Sequence, residues 1–94
     1  MNYKPKDKKE KFLIKALSRI DLEKDMANFL RDLLTSQEIQ EFSTRFEVAK
    51  LLNAKDLSYR DIAKKVGVST TTVSRVAFWL NEGNNGYKQV LKGM

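Results

Sequence analysis

A run of hydroxyl side chains late in the chain has the composition of a surface that reads nucleic acid. Ser69, Thr70, Thr71, Thr72 and Ser74 follow one another closely, and no Asp or Glu occurs between residues 64 and 80. Short hydroxyl side chains let a helix lie deep in the major groove, where they bond to base edges, and a carboxylate there would be repelled by phosphate. These five residues are therefore the candidate DNA-reading residues.

Basic residues ahead of this run are candidates for contacts to the sugar-phosphate backbone. They are Lys55, Arg60, Lys64 and Lys65. Phosphate contacts orient a protein on a duplex without carrying sequence information. The net charge is +6, and residues 48 to 94 carry eight basic and three acidic side chains, whereas residues 21 to 47 carry three and seven. This distribution favours a polyanionic partner, although a charge that only keeps the surface soluble remains an alternative.

The elements that must position the hydroxyl run are two short helices joined by a tight turn. Ser58 and Ser69 are predicted N-caps, and Gly67 can adopt the positive φ that the turn requires. A close crossing of the helices needs small and branched residues at the contact, and these are Ala63, Val73 and Val76. The spacing is typical of a helix-turn-helix over about residues 58 to 81, whose second helix enters the major groove.

Apolar residues ahead of this motif recur at helical spacing, which predicts three further helices. The first extends from about residue 12 to residue 20, and the second has Asp21 as its N-cap. The third begins at a capping box formed by Thr35 and Glu38 and continues to about residue 53. No strand-like alternation occurs, so the predicted fold class is all-α. The apolar faces are broader than a chain of this size readily covers, and we expect a homodimer.

The composition of the N-terminal segment and the residue types absent from the chain limit its domain organisation and function. Residues 1 to 11 hold the only proline and five lysines without helical periodicity, which predicts a flexible basic arm ahead of a single domain at residues 12 to 94. The chain has no Cys and no His, so we predict no enzymatic activity, metal or cofactor. The longest apolar run, residues 76 to 80, is too short for a membrane span, and we expect a cytoplasmic protein without a membrane partner.

The chain resembles the Trp repressor superfamily, and within it the YerC/YecD branch, from about residue 33 to residue 91. The matching segments are Leu34-Thr35, Thr44-Arg45, Tyr59-Arg60-Asp61-Ile62-Ala63, Gly67-Val68-Ser69, Val73-Ser74-Arg75-Val76, Leu80-Asn81-Glu82-Gly83-Asn84 and Gly86-Tyr87. The resemblance implies an intertwined, all-α homodimer of about six helices that binds operator DNA, with a short last helix around residues 87 to 91. A two-fold dimer reads a near-palindromic site.

The resemblance also indicates a ligand pocket. In Trp repressors the indole of bound tryptophan lies between two arginines, and Arg45 and Arg75 align with them, while Thr35 aligns with a pocket residue contributed by the partner subunit. Val76 stands where tryptophan-responsive repressors have glycine, and Trp79 where they have serine. We therefore expect a pocket filled by the protein's own side chains and DNA binding without tryptophan. As a pocket residue, Arg75 is not available as a reader of guanine.

These observations favour a homodimeric transcription regulator of a prokaryotic cytoplasm, most simply a repressor, bound to double-stranded DNA on the nucleoid. Three alternatives stay open. The same fold could respond to an amino acid or another small-molecule effector. The surface around Phe78 and Trp79 could instead bind a protein, or the chain could bind DNA with little preference for sequence.

Overall fold

The computed structural model describes residues 2–94, which form six α-helices and no strand. The helices are α1 (Lys8–Ser18), α2 (Glu23–Leu33), α3 (Ser36–Ala54), α4 (Tyr59–Val66), α5 (Thr70–Glu82) and α6 (Gly86–Leu91). The all-α fold class is confirmed. The contacts divide the chain into two compact units, Tyr3–Gln40 and Glu41–Met94, with the boundary inside α3.

Helix α1 begins at Lys8, four residues before the predicted start, so the flexible arm predicted for residues 1 to 11 is too long. The side chain of Asp7 caps the helix by accepting a hydrogen bond from the Glu10 backbone N–H at 3.0 Å. The Tyr3 hydroxyl donates to the Glu10 carboxylate at 2.6 Å, and this bond raises the pKa of Tyr3. Capping is a local hydrogen-bonding effect that apolar periodicity does not report.

The predicted N-cap of α2 is wrong by one residue. Leu22 occupies the cap position with extended backbone angles, φ −96° and ψ 137°, and no side chain caps the helix. Asp21 lies one residue too early for this role. The carboxylates of Glu23 and Asp25 instead lie in the first turn, where they interact favourably with the positive end of the helix dipole.

The capping box at the start of α3 is confirmed. The Glu38 backbone N–H donates to Thr35 Oγ1 at 3.1 Å, and the Thr35 backbone N–H donates to Glu38 Oε1 at 2.9 Å. The helix continues for 19 residues and ends at Ala54. Lys55 follows in the left-handed region, with φ 60°, and its N–H donates to the Leu52 carbonyl at 3.2 Å.

A small apolar core fixes the helices of the Glu41–Met94 unit. Every helix in this unit contributes to it, and the buried members are Val48, Ala49, Ile62, Ala63, Val73, Val76 and Leu91. The contact predicted between α4 and α5 is confirmed, since Ala63 and Val73 both belong to this core. Truncating a buried Ile or Leu to Ala in such a core costs about 2 to 5 kcal/mol, so the angle between α4 and α5 is firmly held.

The Tyr3–Gln40 unit has a different character, because neither α1 nor α2 contains a buried residue. Phe12 is 75% exposed and Leu22 is 63% exposed. Isolated exposed apolar residues are common on soluble proteins, but two whole helices without a buried position are not. These helices therefore carry exposed apolar side chains and no buried one.

Candidate nucleic-acid interface

The turn between α4 and α5 has the geometry that the sequence predicts. Gly67 adopts φ 84° and ψ 38°, and its N–H donates to the Ala63 carbonyl at 2.9 Å. The Val68 N–H donates to the same carbonyl at 3.0 Å. No atom lies within 4 Å of the position that a Cβ would take at residue 67, so the left-handed backbone, and not crowding, requires glycine here.

Both helices of the motif are capped by the predicted serines. Ser58 Oγ accepts from the Asp61 N–H at 3.1 Å, and Ser69 Oγ accepts from the Thr72 N–H at 3.1 Å. Ser69 Oγ also lies 3.1 Å from Thr72 Oγ1, within hydrogen-bonding distance. The motif is thus a helix-turn-helix that begins at the Ser58 cap and runs through α4 and α5.

The candidate reading residues divide into two groups in the structure. Thr70, Thr71 and Ser74 are exposed on α5. Ser69 is also exposed, but its hydroxyl is engaged in the cap, and Thr72 is only partly exposed. The first three hydroxyls are therefore the best placed to contact bases, whereas Ser69 and Thr72 hold the N-terminus of the helix.

The basic residues predicted to contact phosphate lie in two different parts of the structure. Arg60, Lys64 and Lys65 are exposed on α4, and the two lysines lie in its last turn, beside Gly67. Lys55 is exposed in the connection between α3 and α4. It lines a cleft together with residues from the end of α5, so its surroundings differ from those of the other three.

An open cleft of about 1120 Å³ lies between α3, α5 and α6, beside the N-terminal half of α5. Its walls include Arg45 and Arg75, the two arginines of the predicted pocket, together with Thr72 and Trp79. Arg75 and Arg45 therefore share one cleft, and their role in binding a ligand stays a prediction. Thr35 is not among the lining residues.

The two residues expected to fill this pocket differ in their burial. Val76 is 4% exposed and belongs to the core. Trp79 is 54% exposed, and its ring makes an edge-to-face contact with Phe78 at a centroid distance of 5.3 Å. The indole of Trp79 therefore rests against its neighbour on α5 and forms part of the cleft wall.

Two aromatic residues that were not predicted as pocket residues, Phe46 and Tyr87, also line the cleft. Phe46 and Tyr87 stack with centroids 6.3 Å apart and an interplanar angle of 29°. The Arg45 guanidinium lies 5.5 Å from the centre of the Phe42 ring. The contact between Arg45 and Phe42 joins residues three apart on one helix and could have been recognised from the sequence. The stacking of Phe46 on Tyr87 joins α3 to α6 and depends on the tertiary fold.

Two kinds of feature are absent from residues 2–94. No group of three or more Asp, Glu, His or Cys side chains in this range is arranged to hold a metal ion. None of the described helices has the length and apolar character needed to cross a membrane.

A model of the family described as Trp repressor protein matches residues 8–94. This chain belongs to the Trp repressor family. The match extends from the first residue of α1 to the last residue, so the family includes both units of the chain and not the helix-turn-helix alone. The family assignment makes the chain a DNA-binding, helix-turn-helix protein of transcription regulation.

Relatives within the Trp repressor family support the assignment. The Bacillus subtilis protein YerC is 43% identical over 75 residues, which covers 80% of this chain and 70% of YerC. A Trp operon repressor homolog of Xylella fastidiosa is 35% identical over 72 residues, 77% of this chain and 78% of that protein. The crystal structure of a TrpR-like protein from Eubacterium eligens superposes with a TM-score of 0.84 at 40% identity, covering 93% of this chain and 89% of the other.

Proposed function

We propose that the protein is a sequence-specific transcription regulator that acts as a homodimer and inserts the N-terminal half of α5 into the major groove of DNA. The exposed hydroxyls of Thr70, Thr71 and Ser74, on a segment without carboxylates, carry this proposal. They lie at a helix N-terminus, where the dipole adds a partial positive charge that favours an approach to phosphate. Arg60, Lys64 and Lys65 supply the contacts to the backbone.

The dimer is proposed from the apolar faces of α1 and α2. Each is an eleven-residue helix with no buried position, and Phe12 on α1 and Leu22 at the N-cap of α2 are exposed. A second copy would cover these faces, and a two-fold axis would place the two reading helices about 34 Å apart. The site would then be a near-palindrome, with one half read by each α5.

We propose further that the protein binds its operator without tryptophan and represses transcription. Val76 is part of the core, so it takes up the space that a glycine would leave, and Trp79 adds a bulky ring to the cleft wall. Neither residue favours insertion of a free indole between Arg45 and Arg75. We assign the protein no catalytic role and place it in the cytoplasm with its DNA.

The experiment that tests this function is random-site selection on duplex oligonucleotides, without tryptophan. We expect enrichment of a near-palindrome. The affinity for the selected duplex should fall by roughly 10³ to 10⁵ between 50 and 200 mM salt if about six to ten phosphates are engaged. Enrichment without a palindrome, or binding that does not depend on salt, would leave the sequence-tolerant or the protein-binding alternative.

The open cleft favours one second candidate function, regulation by a small ligand. Arg45 and Arg75 supply two guanidinium groups and Phe46 an aromatic wall in about 1120 Å³ of space. A calorimetric titration with tryptophan separates the candidates. No heat of binding is expected at micromolar concentrations, and saturable micromolar binding would replace the proposal of ligand-free repression.

A further inference from the structure

A second cleft, of about 620 Å³, lies in the Glu41–Met94 unit away from the reading residues. It is formed where α3 and α5 end and α4 begins, with one residue from α6, and its lining comprises Leu52, Asn53, Lys55, Leu57, Tyr59, Leu80, Asn81 and Lys88. None of these residues lines the cleft that holds Arg45 and Arg75. Thr70 and Asn81 are separated by about 16 Å along the axis of α5.

The charge in this cleft is positive. Lys55 and Lys88 are in its lining, and no carboxylate is, although Asp56 and Glu82 are close in sequence. The C-termini of α3 and α5 offset part of the positive charge of the two lysines, because each helix C-terminus carries about half a negative charge. Two such ends contribute about one negative charge against two positive charges, so the site still attracts an anion.

The remaining lining residues suit an organic anion better than a bare ion. The side-chain amides of Asn53 and Asn81 and the phenol of Tyr59 can donate hydrogen bonds, and three leucines supply an apolar wall. The Asn81 amide is held in place by a hydrogen bond from Nδ2 to the Ala77 carbonyl at 3.0 Å. The volume falls in the range of about 300 to 1,000 Å³ that is usual for small-molecule sites.

The backbone conformation of Lys55 is unusual for a lysine. Its φ of 60° is left-handed, and this position after a helix is usually occupied by glycine or asparagine. A residue with a long side chain is strained here, and such strain is concentrated at functional sites. The chain therefore carries a cation at a position where the fold alone favours glycine.

We propose that this second cleft binds a small organic anion, in which a phosphate or carboxylate is joined to a compact apolar group. The anionic group lies between Lys55 and Lys88, and the apolar group lies against Leu57 and Leu80. The site does not depend on DNA binding, so the failure of either proposal leaves the other standing.

The test is a titration of the ¹⁵N-labelled full chain, followed by NMR, with phenyl phosphate, benzoate and inorganic phosphate. Saturable shifts are expected at the amides of residues 53 to 59, 80 to 81 and 88. Phenyl phosphate and benzoate distinguish the two anionic groups, and inorganic phosphate, which lacks the ring, should bind about tenfold more weakly than phenyl phosphate.

Two variants at residue 55 separate binding from folding. Lys55→Gly removes the cation and relieves the backbone, so it should bind phenyl phosphate about tenfold more weakly while its melting temperature stays the same or rises. Lys55→Gln keeps the strained backbone and should weaken binding equally without a rise in melting temperature.

A second pair of variants tests the other lysine of the cleft. Lys88→Gln should also weaken binding. Lys92→Gln makes the same change in net charge on a lysine outside the lining and should not.

Three outcomes would overturn the proposal. The first is a set of shifts spread over all exposed lysines, and the second is unchanged affinity in Lys55→Gly and Lys55→Gln. The third is displacement of phenyl phosphate by the selected duplex with direct contacts at Lys55 and Lys88, which would make the cleft a contact for the DNA backbone.

Discussion

Ser69 Oγ lies 3.1 Å from the backbone nitrogen of Thr72 and 3.1 Å from Thr72 Oγ1. One hydroxyl therefore caps α5 and contacts a second side chain, which in turn lines the cleft between α3, α5 and α6. The pair connects that cleft to the end of the helix that we propose enters the groove. Thr70 and Thr71, which lie between Ser69 and Thr72 in the sequence, are exposed.

Substitutions of Ser69 should separate capping from DNA binding. Ser69→Ala removes the cap and should lower the free energy of unfolding by about 1 kcal/mol, while Ser69→Asn and Ser69→Asp should retain most of it. Ser69→Asp places a carboxylate beside phosphate, so its affinity for the selected duplex should fall well below that of Ser69→Asn. Chemical denaturation and duplex titration measure the two effects. Equal affinities of the Asn and Asp variants would contradict insertion of this helix end.

Neutralising the lysines at the end of α4 should weaken DNA binding without changing its sequence preference. Lys64→Gln and Lys65→Gln should each reduce the slope of log affinity against log salt by about 1, because each removes one phosphate contact. Lys92→Gln is the control, since it changes the net charge equally on a residue beyond α6. A slope that changes as much in the control as at residue 64 would show that only the overall charge matters.

The glycines should differ in their tolerance of alanine. Gly67→Ala should cost about 1 kcal/mol because of its φ of 84°. Gly83→Ala should cost more, since its Cβ would overlap the Trp79 carbonyl oxygen. Gly86→Ala, with an ordinary φ and nothing within 4 Å, should be neutral or stabilising. Thermal unfolding of the three variants gives the order, and a Gly86 variant as unstable as the Gly83 variant would contradict this account.

Polar substitutions of exposed apolar residues on α1 and at the N-cap of α2 should dissociate the proposed dimer. Phe12→Ser and Leu22→Ser remove apolar area that one chain leaves exposed, so they should raise the dimer dissociation constant at least about tenfold. Lys9→Ser is the control on the same helix as Phe12. Sedimentation equilibrium measures the constants, and a wild-type chain that sediments as a monomer at micromolar concentration would refute the dimer.

The sequence by itself determined the features that depend on neighbouring residues. The capping box of Thr35 and Glu38, the serine caps of the motif and the left-handed turn at Gly67 all involve residues three to five apart, and each is present as predicted. The place of Ala63, Val73 and Val76 at the contact between the two helices could be predicted, because helical periodicity determines which side chains share a face. Apolar periodicity placed the start of α1 four residues too late, because it does not report the cap at Asp7. At Asp21 the capping argument failed by one residue, since one position decides which side chain can reach the helix N-terminus.

Only the tertiary structure decided how distant residues combine into surfaces. It brought Arg45, Arg75 and Trp79 to one cleft and stacked Phe46 on Tyr87. It also grouped Lys55 with Lys88 and gave Lys55 its left-handed backbone. These arrangements depend on how α3, α5 and α6 pack, and packing is set by the joint fit of many side chains, which no short stretch of sequence contains.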